Sequence, residues 1–150
     1  MNPLTRVVPH RAPMLLIDEV VESGLEVFTT RVQIRESSMG FEDGGVPGWF
    51  GVEYMAQTIA AYHGVNYPSP DGEPEIGFLV GVRDYRTSCA VFPLGATLIV
   101  QISPSFIVEN SGSFECQITI DGAMVAESMI TTVKPGKDFM EQLKRSGGVS

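Results

Sequence analysis

The stretch Pro47-Gly48-Trp49-Phe50-Gly51-Val52-Glu53-Tyr54-Met55-Ala56-Gln57 constrains this chain most. It sets one carboxylate inside an otherwise apolar run rich in small residues. Read as a helix over roughly 48 to 65, it places Glu53 and Gln57 on one face, one turn apart. Ala56, Ala60 and Gly64 continue around that face, and small side chains let it press against another element. Val52, Met55 and Ile59 form an apolar companion face. A helix that is apolar nearly all round is a buried helix, and a Glu is rarely buried without a partner. Burial favours the protonated form of a carboxyl, which suits it to proton transfer. The loop Gly44-Gly45-Val46-Pro47-Gly48 leads into this helix. N–H groups at that end lack helical acceptors, and the dipole is positive there. A carbonyl oxygen docked at Gly48 would therefore be polarised. The segment offers an acid/base group and an oxyanion site; the plainer alternative is a core helix whose Glu reaches out to water.

Most of what surrounds this helix reads as strand. Residues 13 to 21 are apolar and end at Asp18-Glu19-Val20-Val21, a first strand. Residues 25 to 35 alternate, with Phe28, Thr30, Val32 and Ile34 on one face. Residues 36 to 47 form a loop rich in Ser and Gly, and Pro68, Pro70, Asp71, Gly72 and Pro74 mark a second one. Strands follow over Ile76 to Tyr85, Thr87 to Phe92, Ala96 to Phe106, Ser113 to Ile120 and Ala123 to Val133. Pro104 predicts an edge or a bulge in its strand. Asp121-Gly122 is the strongest hairpin signal in the chain. Pro135-Gly136 ends the last strand, and a short helix is expected from Lys137 to Arg145. One long helix cradled by an antiparallel sheet of about five to seven strands is an α+β architecture.

Size and charge narrow the function. A chain of 150 residues is expected to be one domain, residues 1–150. A net charge of −8 argues against a general nucleic-acid binder, which carries a basic face. No apolar run approaches the ~20 residues of a membrane span, and Met14-Leu15-Leu16-Ile17 is too short for a secretory core. Cys89 and Cys116 lie far apart without metal-ligand spacing, and are expected to be reduced in a cytoplasmic protein. No P-loop or dinucleotide fingerprint is present, so neither a cofactor nor a metal is expected.

Two motifs at their mutual spacing carry a family resemblance. The first is Pro9-His10-Arg11-Ala12-Pro13-Met14-Leu15-Leu16-Ile17-Asp18. The second runs from Pro47-Gly48 through Glu53 to Ala56-Gln57. Phe78, Gly81-Val82 and the charged run Arg83-Asp84-Tyr85-Arg86 add a weaker third. Together they resemble the hotdog-fold β-hydroxyacyl-ACP dehydratases of the FabZ type over roughly residues 7 to 133. Within that superfamily the chain looks closest to the ApeP-type dehydratases of aryl polyene clusters. The resemblance implies a hotdog fold: a long central helix wrapped by an antiparallel sheet.

It also implies roles. Glu53 corresponds to the helix carboxylate that works with a His to remove water from a 3-hydroxyacyl thioester. Gly48 corresponds to the glycine whose N–H binds the thioester carbonyl, and Gln57 to the companion that fixes the carboxylate. The chain departs from the pattern at the family's loop His, where an ungapped count places Met39. His63 lies ten residues past Glu53, ~15 Å along a helix. His10 is then the candidate partner, against the plainer reading of a cap or a backbone hydrogen bond. Three readings stand open: Glu53 acts with His10, Glu53 acts alone as in hotdog thioesterases, or the chain is the non-catalytic or partner-dependent half of a heteromer. Glu42 and Asp43 read as solvated loop charges and Asp18 as a strand-end residue.

The same resemblance implies a homodimer, or a heterodimer with another hotdog dehydratase, and a substrate on acyl carrier protein or CoA. Trp49, Phe50, Tyr54 and Tyr62 are more large residues than one sheet needs to cover. Phe78, Leu79 and Val80 would line the acyl tunnel. An acidic carrier calls for a basic mouth, with Arg83 and Arg86 the first candidates and Arg11 and Arg31 the second. The expected activity is dehydration of 3-hydroxyacyl-ACP to trans-2-enoyl-ACP in fatty-acid-like or aryl polyene synthesis. A non-catalytic subunit is the alternative, and an acyl thioesterase the third.

Overall fold

The computed structural model describes residues 15–67, 79–108 and 111–133. In chain order the strands are β1 (Glu19–Ser23), β2 (Phe28–Gln33), β3 (Gly45–Pro47), β4 (Leu79–Thr87), β5 (Val91–Pro93), β6 (Thr97–Val108), β7 (Ser111–Ile120) and β8 (Ala123–Val133). A single α-helix among the described residues, α1 (Gly51–Asn66), follows a 3-10 turn at Gly48–Phe50. Six strands form one antiparallel sheet in the order β1-β2-β6-β7-β8-β4, and β3 pairs with β5 separately.

Alternation in the sequence becomes burial on the helix side of the sheet. Leu98, Val100 and Ile102 of β6, Phe114, Cys116 and Ile118 of β7, and Ala126 and Ile130 of β8 are all buried. They meet Tyr54, Met55, Ile59, Ala61 and Tyr62 of α1 in one core. Each large apolar side chain so enclosed contributes about 1.5–3 kcal/mol. Tyr62 packs edge-on against Phe28 and Phe114, with centroids 5.7 and 5.5 Å apart. The Thr30 and Thr58 hydroxyls share a hydrogen bond of 2.7 Å, which pairs a polar group of β2 with one of α1. The β7–β8 hairpin turns at Asp121 (φ 50°) and Gly122 (φ 81°), the backbone that a two-residue turn demands and that Asp-Gly accepts.

Pro104 sits at a register shift between β6 and β7, and the β2 register on its other side stops at Ile102. A residue without an N–H is tolerated there because β2 asks nothing of it.

Two expectations are corrected. The first strand starts at Glu19 rather than 13; Leu15 to Asp18 run beside α1, tied by the Leu16 N–H to Gln57. The strands expected at 76–85 and 87–92 divide elsewhere: β4 runs through the charged step, with a register shift between Arg83 and Arg86 and Asp84 at φ 54°. The expected long helix held by an antiparallel sheet is present, and the helix face of Glu53, Ala56, Ala60 and Gly64 is half-open. The helix expected at 137–145 lies outside the described residues, as does Phe78. Among the described residues no helix is long and apolar enough to cross a membrane.

Candidate active site

The helix start is anchored by its neighbours in the sheet. Gly48 donates its N–H to the Ala90 carbonyl at 2.9 Å, and the Tyr85 hydroxyl donates to the Gly48 carbonyl at 2.6 Å. A Cβ at position 48 would collide with the Cys89 carbonyl oxygen, and one at position 51 with the Tyr85 hydroxyl. Glycine is what lets the chain come this close to the segment between β4 and β5.

Glu53 lies in the first turn of α1, where the dipole favours a carboxylate. It is half-buried, and Gln57 donates to its Oε1 at 3.2 Å. Gln57 itself is 0% exposed, and its Oε1 accepts the Leu16 N–H at 2.8 Å. One buried amide thus joins the N-terminal motif to the helix motif. Asp18 locks the same segment to β2. Its N–H donates to the Arg31 carbonyl at 2.8 Å, its carboxylate accepts the Gln33 N–H at 2.6 Å, and it pairs with Arg35 at 2.9 Å. It is a clamp between segments rather than a simple strand end.

Met39, at the position of the family's loop His, opens onto a cleft of about 270 Å³ with Leu15, Leu16, Val32 and Tyr54. His10 lies outside the described residues. His63 packs its ring edge-on against Tyr62 and Phe114, centroids 5.4 and 5.6 Å away, inside the core end of the helix. The Gly48 N–H is already used by Ala90, so a thioester oxygen there would be its second acceptor. Arg83 and Arg86 are exposed on β4. Arg86 stands opposite Glu127 in a groove it shares with Asp84 and Glu115, so its surroundings are acidic. Arg31 is paired with Glu19 at 2.5 Å.

Of the four large aromatic residues along the helix, Tyr54 and Tyr62 belong to the chain's own core, contrary to expectation. Trp49 is 66% exposed and stacks on Phe50 at 4.2 Å. The sequence reading missed Tyr85. Its signal was a lone aromatic inside the charged run Arg83-Asp84-Tyr85-Arg86, the residue best suited to turn inward.

A six-stranded antiparallel sheet over one long helix, with a carboxylate in the helix's first turn, defines a hotdog-fold domain. A family model described as ApeP-like, ApeP dehydratase, matches residues 2–144, and the chain belongs to that family. It is 29% identical over 94% of its length to a chain of the dehydratase heterocomplex ApeI:P from Xenorhabdus doucetiae, covering 96% of that chain with a TM-score of 0.85. It is 32% identical over 127 residues to 3-hydroxyacyl-(acyl-carrier-protein) dehydratase FabZ of Herpetosiphon aurantiacus, covering 81% of this chain and 87% of that one. The FabZ of Brucella ovis is 29% identical over 136 residues, 87% of this chain and 85% of the relative.

Proposed function

We propose that this chain removes water from 3-hydroxyacyl thioesters, most simply those on an acyl carrier protein, to give trans-2-enoyl thioesters. The observation that carries the proposal is Glu53, set at the start of α1 and held by an amide that the Leu16 backbone pins in turn. The reaction breaks the C2–H bond and sends its proton to a base. The C–H electron pair becomes the C2=C3 bond, and the C3–O bond breaks as an acid protonates the leaving hydroxyl to water. Glu53 serves one of these transfers and a His the other. No oxidant or cofactor enters the balance.

His10 is the proposed second group. Leu16, six residues further on, is fixed at Gln57, and six extended residues span up to ~20 Å. That tether allows His10 to reach the helix start of its own subunit or of a partner. Charge gathering on the thioester oxygen would be met at the same helix start. Gly48 would share its N–H there, or Trp49 and Phe50 would supply theirs.

A heteromeric form of this reading has its own support. Loop 36–44 carries Met39 where the family places its His. The helix face of Glu53, Ala56, Ala60 and Gly64 is half-open, and β4 is an edge of the sheet. A second hotdog chain adding to that edge would cover the face and bring a His of its own. Carrier docking at Arg83 and Arg86 remains part of the proposal, with Arg83 free of the acidic groove that surrounds Arg86. The unpaired thiols of Cys89 and Cys116 support a cytoplasmic setting.

The test incubates the chain, alone and with a second hotdog dehydratase, with 3-hydroxyacyl carrier protein, and weighs the products. Loss of one water is expected. Loss of the acyl group would make the chain a thioesterase, and no change under either condition would overturn the enzymatic reading.

A further inference from the structure

The face of the sheet turned away from α1 is apolar and exposed at one end. Directly paired residues share a side of a sheet, so the β6–β7 and β7–β8 registers set this face in rows. The end row is Val108, Ser111 and Val133, and the next is Phe106, Ser113 and Thr131. Ser103, Glu115 and Met129 follow, then Gln101, Gln117 and Glu127. Val108, Phe106 and Val133 are 57%, 52% and 41% exposed, a cluster across strands rather than scattered single residues. The last two rows floor an open groove of about 480 Å³, in which Asp84, Glu115 and Glu127 outnumber Arg86. An occupant of this face has to bring apolar side chains for one end and positive charge for the middle. An acidic carrier protein is repelled there.

The segment that leaves β8 at Val133 carries both. Residues 134–145 hold all three lysines of the chain, Lys134, Lys137 and Lys144, together with Arg145. Only Asp138 and Glu141 oppose them, so this stretch is basic in a chain of net charge −8. Read as a helix over 137 to 145, it sets Phe139, Met140 and Leu143 in one stripe, and Lys144 flanks that stripe one turn after Met140. Pro135-Gly136 is a turn signal placed just past the end row. Rows lie ~6.6 Å apart and the nine residues from 137 span ~13 Å as a helix, so a helix laid back along β8 reaches from the end row to the row of Glu115. The family match takes in this segment, since it runs to residue 144.

We infer that residues 137–145 fold back as an amphipathic helix on the outer face of their own sheet. Phe139, Met140 and Leu143 cover Phe106, Val108 and Val133, and the Lys144 ammonium meets Glu115 or Glu127. A segment tethered by three residues meets the patch at a higher effective concentration than a free partner does. The strap closes the outer face. It leaves edge strand β4 and the half-open face of α1 as the surfaces for a second chain.

The test is zero-length carbodiimide cross-linking of the full-length chain, which joins lysine amines to carboxylates in contact with them. Isotope-labelled and unlabelled copies are mixed beforehand, and the joined peptides are identified by mass spectrometry. The expected product joins Lys144 to Glu115 or Glu127 within one copy. Leu143→Asp should lower its yield about tenfold or more, as loss of one buried leucine contact predicts, and should raise the fluorescence of an apolar dye. Val108→Ser, on the receiving face, should lower the yield in the same direction, which keeps the test open if one variant fails to fold. Lys144 joined only to other carboxylates, or to none, overturns the inference. So does a yield that neither folded variant moves. Products pairing a labelled with an unlabelled peptide overturn it as well, because the face is then covered by the segment of a second copy.

Discussion

The Tyr85 hydroxyl donates to the Gly48 carbonyl at 2.6 Å and fastens edge strand β4 to the start of α1. The same hydroxyl occupies the space that a side chain at position 51 would need. Gly51→Ala is expected to destabilise by about 1–3 kcal/mol through overpacking, and Tyr85→Phe by about 1 kcal/mol. In the double variant the clash is partly relieved, so its cost is less than the sum. Denaturant unfolding of the four proteins measures this, and strictly additive costs would contradict the contact.

Glu53→Gln is expected to lower turnover by ~10² or more while Tm is kept, because it removes a proton-transfer group and little else. If His10 is its partner, His10→Ala costs about as much, and the double variant hardly more than either alone, since groups that act as a unit do not add. A steady-state assay decides both. A His10→Ala variant with wild-type turnover would return that residue to a structural role.

Gln57→Leu is expected to cost about 1–3 kcal/mol, because it strands the Leu16 N–H beside a buried helix face. Turnover falls as well, since Glu53 loses the hydrogen bond from Gln57. Hydrogen exchange gives a direct reading: the Leu16 amide should exchange at least about tenfold faster than in the wild type, matching a loss of ~1.4 kcal/mol. Unaltered protection of that amide would refute the link.

Burial pushes the Cys116 thiol up to about 12, from an ordinary value of 9.0, with Glu115 adding to the shift. The folded chain therefore holds a proton that the unfolded chain releases first. Stability from this group is complete below about pH 9 and is lost as pH rises toward 12, by at most ~1.4 kcal/mol per pH unit. Cys116→Ala should flatten the alkaline limb of the stability curve, even though its cavity lowers stability at neutral pH. An unchanged alkaline slope would show that Cys116 does not carry it.

Regular alternation and a strong turn made the β7–β8 hairpin readable: Ser113 to Ile120, Asp121-Gly122, then Ala123 to Val133. The helix and its carboxylate were readable for the same reason, a local pattern with local consequences. The start of β1 was not, because Met14-Leu15-Leu16-Ile17 is as apolar as a strand while Leu16 turns its backbone to Gln57 instead of to a neighbouring strand. The hold of Ala90 on Gly48 was equally hidden, since it depends on β3 finding β5 more than forty residues away. Tyr54 and Tyr62 looked like surplus aromatic bulk until the sheet closed over them. What failed was information about which distant segments meet.

Gln57 spends both ends of one amide, its oxygen on Leu16 and its nitrogen on Glu53. The two motifs are for that reason a single heritable unit. A lineage that gives up the acid at position 53 removes half the reason for an amide at 57, and with it the tie that keeps the turn around Leu16 in place. Sister chains that have lost the carboxylate should therefore also drift at 57 and in the segment just before β1, so that decay of this centre would spread along the chain in a fixed order.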